Sequence, residues 1–218
     1  MSLTYIVQPA FAVNESDLTD SAELFSNHYG RWPNGANVRL SPQKLRQGYL
    51  FDNDKCTLVQ ARDSTRENIL VGHAFLCLFW LDDVRVSWVT QLCVHTDYRS
   101  RGVARRLCYI AWNNDQHYIC GLATSHPYAV KALERATGGK CTRETAIVWG
   151  DRILIESGIP YMREANLVFD GNQCLINTRF EVDHSDVTVA LDLDPDWLLG
   201  SLRDGMEFFA MTTKKSSI

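Results

Sequence analysis

The first apolar stretch, TYIVQPAFAV at residues 4–13, reads as a strand. Pro9 has no N–H to give a sheet, so this strand must bend or end there. Leu18, Ala22, Leu24 and Phe25 then keep roughly helical spacing and predict a helix over 17–29, with Asn14 or Ser16 as its cap. Residues 30–40 (GRWPNGANVRL) hold two glycines, two asparagines and a proline, the composition of a loop. Ser41 as N-cap and Pro42 at the first helical position open a second, short helix.

Apolar residues become denser from Cys56 onward. Strands are predicted at 56–62 and 69–81. The second (ILVGHAFLCLFWL) is apolar at consecutive positions, as a strand buried on both faces would be. Asp82 and Asp83 make a turn into a strand at 86–95. Next come a polar, basic stretch at 96–101 and a helix from Gly102 to about Asp115, with Val103, Leu107, Ile110 and Ala111 as its buried stripe. A strand at 118–124 and a helix from Pro127, closed by Gly138 and Gly139, complete a core over 4–139. Beyond it lies a C-terminal elaboration, 140–218. It holds a helix over 142–157 stopped by Gly158 and Pro160, and two last strands near 177–182 and 206–211. Residues 185–193 stay open: Val187, Val189, Leu191 and Leu193 alternate as in a strand, yet Ser185 suits the cap of a short helix. With no repeat or linker in view, one α/β domain over 1–218 is expected.

Composition narrows the function classes. Of the 218 residues 45% are hydrophobic and the net charge is only -4, which disfavours disorder and gives no basic surface for nucleic acid. The N-terminus lacks a basic n-region and is broken by Pro9, a poor secretory signal, and the longest apolar run, 74–81, is too short to span a bilayer. Seven scattered cysteines without a CxxC pair argue against a disulfide framework and a zinc site. An intracellular compartment, cytoplasmic or nuclear, and no metal are expected.

The chemistry is concentrated in residues 91–106, QLCVHTDYRSRGVARR: a strand, an arginine-rich turn, a glycine and the start of an amphipathic helix. The first amides of a helix have no internal acceptors and sit at the positive end of its dipole, so such a turn binds anions. Gly102 lets a ligand approach the backbone, Ala104 keeps the wall small, and Arg99, Arg101, Arg105 and Arg106 add charge. A di- or polyphosphate is the natural ligand; on charge alone a solvated basic helix start is the alternative. Neither a GxxxxGK[ST] loop nor a GxGxxG after a strand is present.

Arg99-Ser100-Arg101-Gly102-Val103-Ala104 resembles the [Q/R]-x-x-G-x-[G/A] acyl-CoA signature of the GNAT superfamily. The lead-in from Leu92 to Tyr98 is similar to that family's "L-x-V-x-P-x-Y", with Thr96 in place of proline, and 124–134 resembles its "S-N-P-x-A-x-x-L-Y-E" segment. The element order fits over 4–139, and the closing stretch from Trp197 to Phe208 is similar to that of a fungal group of such proteins. The resemblance implies a mixed, mostly antiparallel twisted sheet of about seven strands, splayed between strands four and five and flanked by helices. It implies pantetheine pairing with the backbone of Leu92, Cys93 and Val94, and pyrophosphate on the amides of 99–104. The backbone amide of Val94 or a neighbour would polarise the thioester carbonyl. The implied activity is N-acyl transfer from acetyl-CoA, the co-substrate, to a primary amine of a small molecule or peptide by direct attack. A catalytically weak acyl-CoA-binding regulatory module is the alternative.

Two family positions are changed. Residues 84–95 contain no Asp or Glu to serve as base, and Leu133 stands where many members carry the tyrosine acid. Tyr128, at the start of that helix, is the substitute candidate for the acid, and amphipathic packing is its alternative role. His126, beside the implied pantetheine, is a cofactor-contact or capping candidate. Water ordered by Thr90 or Gln91 is the expected base. His73 reads as a core histidine, and Cys93 and Cys120, in apolar surroundings, as packing residues rather than nucleophiles. Tyr29, Arg31 and Trp32 are candidates for a substrate wall; loop aromatics without that role are the alternative. The six acidic residues between Glu181 and Asp196 read as a solvated face, with recruitment of a cationic amine as the alternative.

Overall fold

The computed structural model describes residues 2–112, 118–183, 187–192 and 194–214. Strand β1 (Leu3–Pro9) stops at the proline, and residues 10–12 form a single 3-10 turn. Helix α1 (Glu15–His28) is capped by Asn14, whose side chain accepts from the Asp17 N–H, and α2 (Pro42–Tyr49) by Ser41, which accepts from Lys44. Then come β2 (Cys56–Asp63), β3 (Ile69–Leu81), β4 (Val84–Val94), α3 (Val103–Ala111), β5 (Tyr118–Thr124), α4 (Pro127–Thr137) and α5 (Arg143–Glu156). The chain continues through β6 (Asn166–Val168), β7 (Leu175–Asn177), α6 (Val187–Asp192) and β8 (Met206–Lys214).

These strands form one mixed sheet of eight in the order β1-β2-β3-β4-β5-β8-β7-β6, against the seven expected. It is antiparallel everywhere except between β4 and β5. The extra strand comes from the short β6–β7 hairpin, three residues a side, whose signal is too brief for periodicity. The strand expected at 177–182 is corrected to Leu175–Asn177. Arg179 adopts a left-handed conformation (φ 57°), and the chain turns off the sheet so that Phe180 and Val182 pack against Phe25 and Val38. Of the open segment 185–193, residues 187–192 are helical; Ser185 and Leu193 lie outside the described residues. Helix α3 ends at Ala111, and the expected extension over 113–115 also lies outside them.

Two irregularities mark the middle of the sheet, both on β4. Its pairing with β5 runs only from Arg85↔Tyr118 to Val89↔Leu122, although β4 continues to Val94 and β5 to Thr124. On the other edge Leu76 faces Val89 but Phe75 faces Gln91, so Thr90 is an extra, bulged residue. A bulge bends its strand and increases the local twist. Here it sits at the point where β4 and β5 part.

The same region holds the densest packing. Trp88 is fully buried, its Nε1 donating to the Tyr161 hydroxyl (2.8 Å) and its ring 5.0 Å from that of Phe209. A Cβ on Gly121 would lie 2.3 Å from the Trp88 ring and 3.0 Å from the Ala210 carbonyl. The ring is held on both sides and cannot swing away. Gly121→Ala is therefore expected to cost about 3 kcal/mol, the upper end of overpacking penalties, read as a lowered urea midpoint at constant m.

Candidate functional site

The turn after β4 is built by its own side chains. Residues 96–98 make a 3-10 turn whose start is capped by His95, Nδ1 accepting from the Asp97 N–H (3.2 Å). Tyr98 is buried and donates its hydroxyl to Asp63 Oδ2 (2.8 Å); the hydroxyls of Thr65 and Tyr98 hold the Asp63 carboxyl down at about 2. Arg99 reaches back, its guanidinium donating to the carbonyls of Val94 (3.3 Å) and His28. The turn is thereby joined to the C-terminal end of α1, where His28 Nδ1 also meets the Thr96 hydroxyl at 3.0 Å.

Ser100 (φ 59°) and Gly102 (φ 80°) are both left-handed, a backbone form that gathers successive N–H groups on one side. The Arg99 N–H is used by the Thr96 carbonyl (3.2 Å). Among the described residues the N–H groups of Ser100, Arg101 and Gly102 have no acceptor, and helix geometry leaves those of Val103, Ala104 and Arg105 without one. A Cβ on Gly102 would meet nothing within 4 Å, so the space above these amides is open. No acidic residue stands in the first turn of α3. An open cleft of about 850 Å³ beside it is lined by Tyr5, Arg101, Gly102, Arg105, Arg106 and Arg135. This arrangement can take a polyphosphate on backbone donors, with arginines as the outer charge.

The free stretch of β4 supplies a second set of donors. His95 N–H donates to the Val71 carbonyl (2.9 Å), so the facing pair Gly72↔Val94 is the wide, non-hydrogen-bonded kind. In such a pair the N–H and C=O point away from the partner strand. Those of Val94, and by alternation of Leu92, are thus directed into the gap toward β5, while the Cys93 amide lies in the β3 ladder. The Cys93 thiol donates to the Leu24 carbonyl (3.8 Å), and burial pushes it up to about 12, which leaves it a thiol and not a nucleophile. Burial pushes the Cys120 thiol up as well.

Across the gap, His126 caps α4: its Nδ1 accepts from the Tyr128 N–H (3.4 Å), and its own N–H donates to Thr124 Oγ1 (3.1 Å). The Tyr128 ring stacks on it at 5.0 Å and is 60% exposed, so it is not a core packing residue. Tyr29 stacks on Phe25 (4.2 Å), and both Tyr29 and Trp32 contact Phe180 (6.0 and 5.4 Å), so those two loop aromatics do share one wall. Arg31 contributes a backbone carbonyl, accepting from Asp183 N–H (2.8 Å).

Sequence reading missed the polar group on the α1–α2 side of the sheet. His73 is buried, its Nε2 donating to Gln91 Oε1 (2.9 Å), and burial lowers its pKa to about 4, which keeps it neutral. Near it stand Tyr49, Tyr161 and Glu207, the last 7% exposed and without an ion pair among the described residues. Burial pushes the Glu207 carboxyl up to about 7, the Thr178 hydroxyl opposing only in part; burial first, and the Glu207 charge after it, raise Tyr29, Tyr49 and Tyr161. His73 Nδ1 and Thr90 Oγ1 are buried without partners. Glu207 carries no motif; a charged residue at the head of the FFAM run was its only signal.

The sheet order, the parted β4–β5 pair and the amide-lined turn now stand together with a family match. Residues 22–112 match the model described as the Acetyltransferase (GNAT) family. That match covers less than half of the chain. Its GNAT fold is similar to that of the ribosomal-protein-alanine N-acetyltransferase from Brucella melitensis biovar Abortus 2308, at 18% identity over 50% of this chain and 69% of that one (TM-score 0.36). The NatC complex bound to Gag peptide and CoA is similar at 18% over 62% and 82% (TM-score 0.44). So is the glucosamine N-acetyltransferase region of a fungal multi-domain GH3 beta-N-acetylglucosaminidase, at 18% over 78% of this chain and 18% of that one (TM-score 0.43). No curated protein matches the chain. No described helix is long and apolar enough to cross a membrane.

Proposed function

We propose that this GNAT domain is an acetyl-CoA-dependent N-acyltransferase acting on a primary amine by direct attack. The observation that carries the reading is the continuity of open backbone donors, from Leu92 and Val94 in the β4–β5 gap to the amides of Ser100–Arg105. The residues fit the co-substrate: the amides and Arg101 would hold the pyrophosphate, and Leu92 and Val94 would pair with the pantetheine arm. Bound there, acetyl-CoA supplies an acyl group already activated as a thioester. The Val94 N–H would bind the carbonyl oxygen as negative charge develops on it. Tyr128 would give its phenol proton to the departing sulfur, with His126 fixing its ring. The buried thiols support a route without an acetyl-enzyme. The closing segment from Trp197 to Phe208 supports a place near a fungal group of GNAT proteins, and seven free, buried cysteines support a reducing cytoplasmic or nuclear setting.

A binding module without turnover is the second reading, favoured by Leu133 and by the lack of a carboxylate on β4. Free-thiol release from acetyl-CoA over a panel of small amines, polyamines and peptides, with calorimetry of coenzyme A, separates the two. Turnover supports the enzyme; binding without turnover supports the module; no binding removes both. Tyr128→Phe is expected to lower kcat at least ~tenfold with little change in KM for acetyl-CoA, because general acids contribute roughly 10²–10⁴-fold and the ring still stacks. A Phe variant as fast as wild type would make Tyr128 a packing residue only.

A further inference from the structure

The missing carboxylate of β4 has a counterpart two strands away. Glu207 is the second residue of β8 and lies just beyond the Thr124↔Phe208 pair, at the end of the sheet where β4 and β5 part. Phe209, two residues on and therefore on the same face, meets Trp88 of β4. Cys77 faces Trp88 and Phe75 faces Gln91, so the Thr90 bulge brings Trp88 and Gln91 onto one face, which Glu207 shares. Between Gln91 and Glu207 the intervening strand offers only Ala123. That residue alternates with Gly121, whose Cβ direction also points at Trp88, so the side chains of β5 on this face are small.

The surroundings suit a reactive base rather than a structural acid. The groups facing Glu207 are Tyr29 from α1, Tyr49 from α2, Tyr161 from the 160–162 turn, and Thr178. None is a cation, and all stay protonated at neutral pH because burial raises the phenols. Buried polar atoms are normally partnered. Two that are not, His73 Nδ1 and Thr90 Oγ1, lie on the segments around this carboxylate and await a polar guest. A primary ammonium, a compact cation with three donors, matches a lone carboxylate with acceptors and aromatic faces around it.

We infer that Glu207 is the general base of the acetyl transfer, receiving the ammonium of the acceptor between the end of α1, α2 and β8. The assignment rests on the acetyltransferase reading. One proton passes from the ammonium to the Glu207 carboxylate, and the freed nitrogen pair forms the C–N bond as the C–S bond breaks with its pair on sulfur. The second nitrogen proton makes good the one Tyr128 gives to that sulfur, so the products are an amide and a thiol. The proton on Glu207 leaves to water.

The test compares wild type, Glu207→Gln and Glu207→Asp between about pH 5 and pH 9, using the best amine of the panel. Wild-type kcat/KM should rise with a limb near 7, where the Glu207 carboxyl titrates. Glu207→Gln should lose that limb and roughly 10²–10⁴-fold in kcat, with coenzyme A affinity unchanged by calorimetry, and the Asp variant should recover part of the rate. A readout independent of turnover is the melting temperature: relative to Glu207→Gln, wild type should weaken as pH rises to about 7. A Gln variant with the wild-type rate and limb, or a difference in Tm that does not change with pH, overturns the assignment alone. Coenzyme A binding by wild type with no turnover on any amine overturns the acetyltransferase reading as well.

Discussion

Gly102→Glu is expected to weaken coenzyme A binding by at least ~100-fold while leaving the domain folded. Two effects add. At φ 80° any side chain is strained, by about 1–2 kcal/mol, and the strain falls on the turn that presents the amides of Ser100–Arg105. The new carboxylate then projects into the open space above those amides, where a phosphate would sit. Two like charges about 4 Å apart near a surface repel by roughly 4 kcal/mol, and about 2.7 kcal/mol already corresponds to 100-fold. Gly102→Ala carries the strain without the charge and should lose far less. Calorimetry of both variants, with urea unfolding as the control for fold, makes the measurement; equal affinity in wild type and Gly102→Glu would remove the anion site.

Glu207→Gln is expected to stabilise the folded protein, only above about pH 4.5 and most fully from about pH 7. The Glu207 carboxyl is raised from 4.5 to about 7 by burial, so between those values the folded chain holds a proton that the unfolded chain has released. Folding is then favoured most below about 4.5, and this contribution is lost as pH rises to about 7, after which the deficit is constant. A glutamine of the same shape has no such dependence. Wild type and variant should unfold alike near pH 4 and differ by about 3 kcal/mol near pH 8, the variant being the more stable. Urea unfolding at the two pH values checks it, and a wild type that gains on the variant with rising pH would give the opposite sign. Stability surrendered at one buried carboxylate is what a functional site is expected to show.

Much of the fold was legible because it is written in local signals. Asn14, Ser41 and Pro42 marked the helix starts, Gly138 a helix end, and the unbroken apolar run of β3 a strand buried on both faces. The turn before α3 was legible for the same reason, since Arg99–Ala104 is contiguous. What escaped was non-local. The bulge at Thr90 breaks the period of two, so strict alternation would set Gln91 on the face opposite Trp88, when they share one. The wrong strand at 177–182 followed apolar residues that serve a satellite core under the loop at 30–40 instead of the sheet. Glu207 stands far along the chain from Tyr29, Tyr49 and Gln91, and only the strand order β4-β5-β8 brings them near one another. Arg99 was read as phosphate charge; its guanidinium also donates to two carbonyls.

Under the acetyltransferase reading, those two bonds would tie the two proposed ligand sites into one thermodynamic unit. The His28 carbonyl that Arg99 holds is at the end of α1, next to Tyr29, and the Val94 carbonyl belongs to the residue whose N–H faces the gap. An acceptor that displaces the end of α1 must pull on the same guanidinium that shapes the turn receiving the pyrophosphate. Whatever free energy that adds to or takes from coenzyme A binding is returned in equal measure to the binding of the acceptor, because linkage runs both ways.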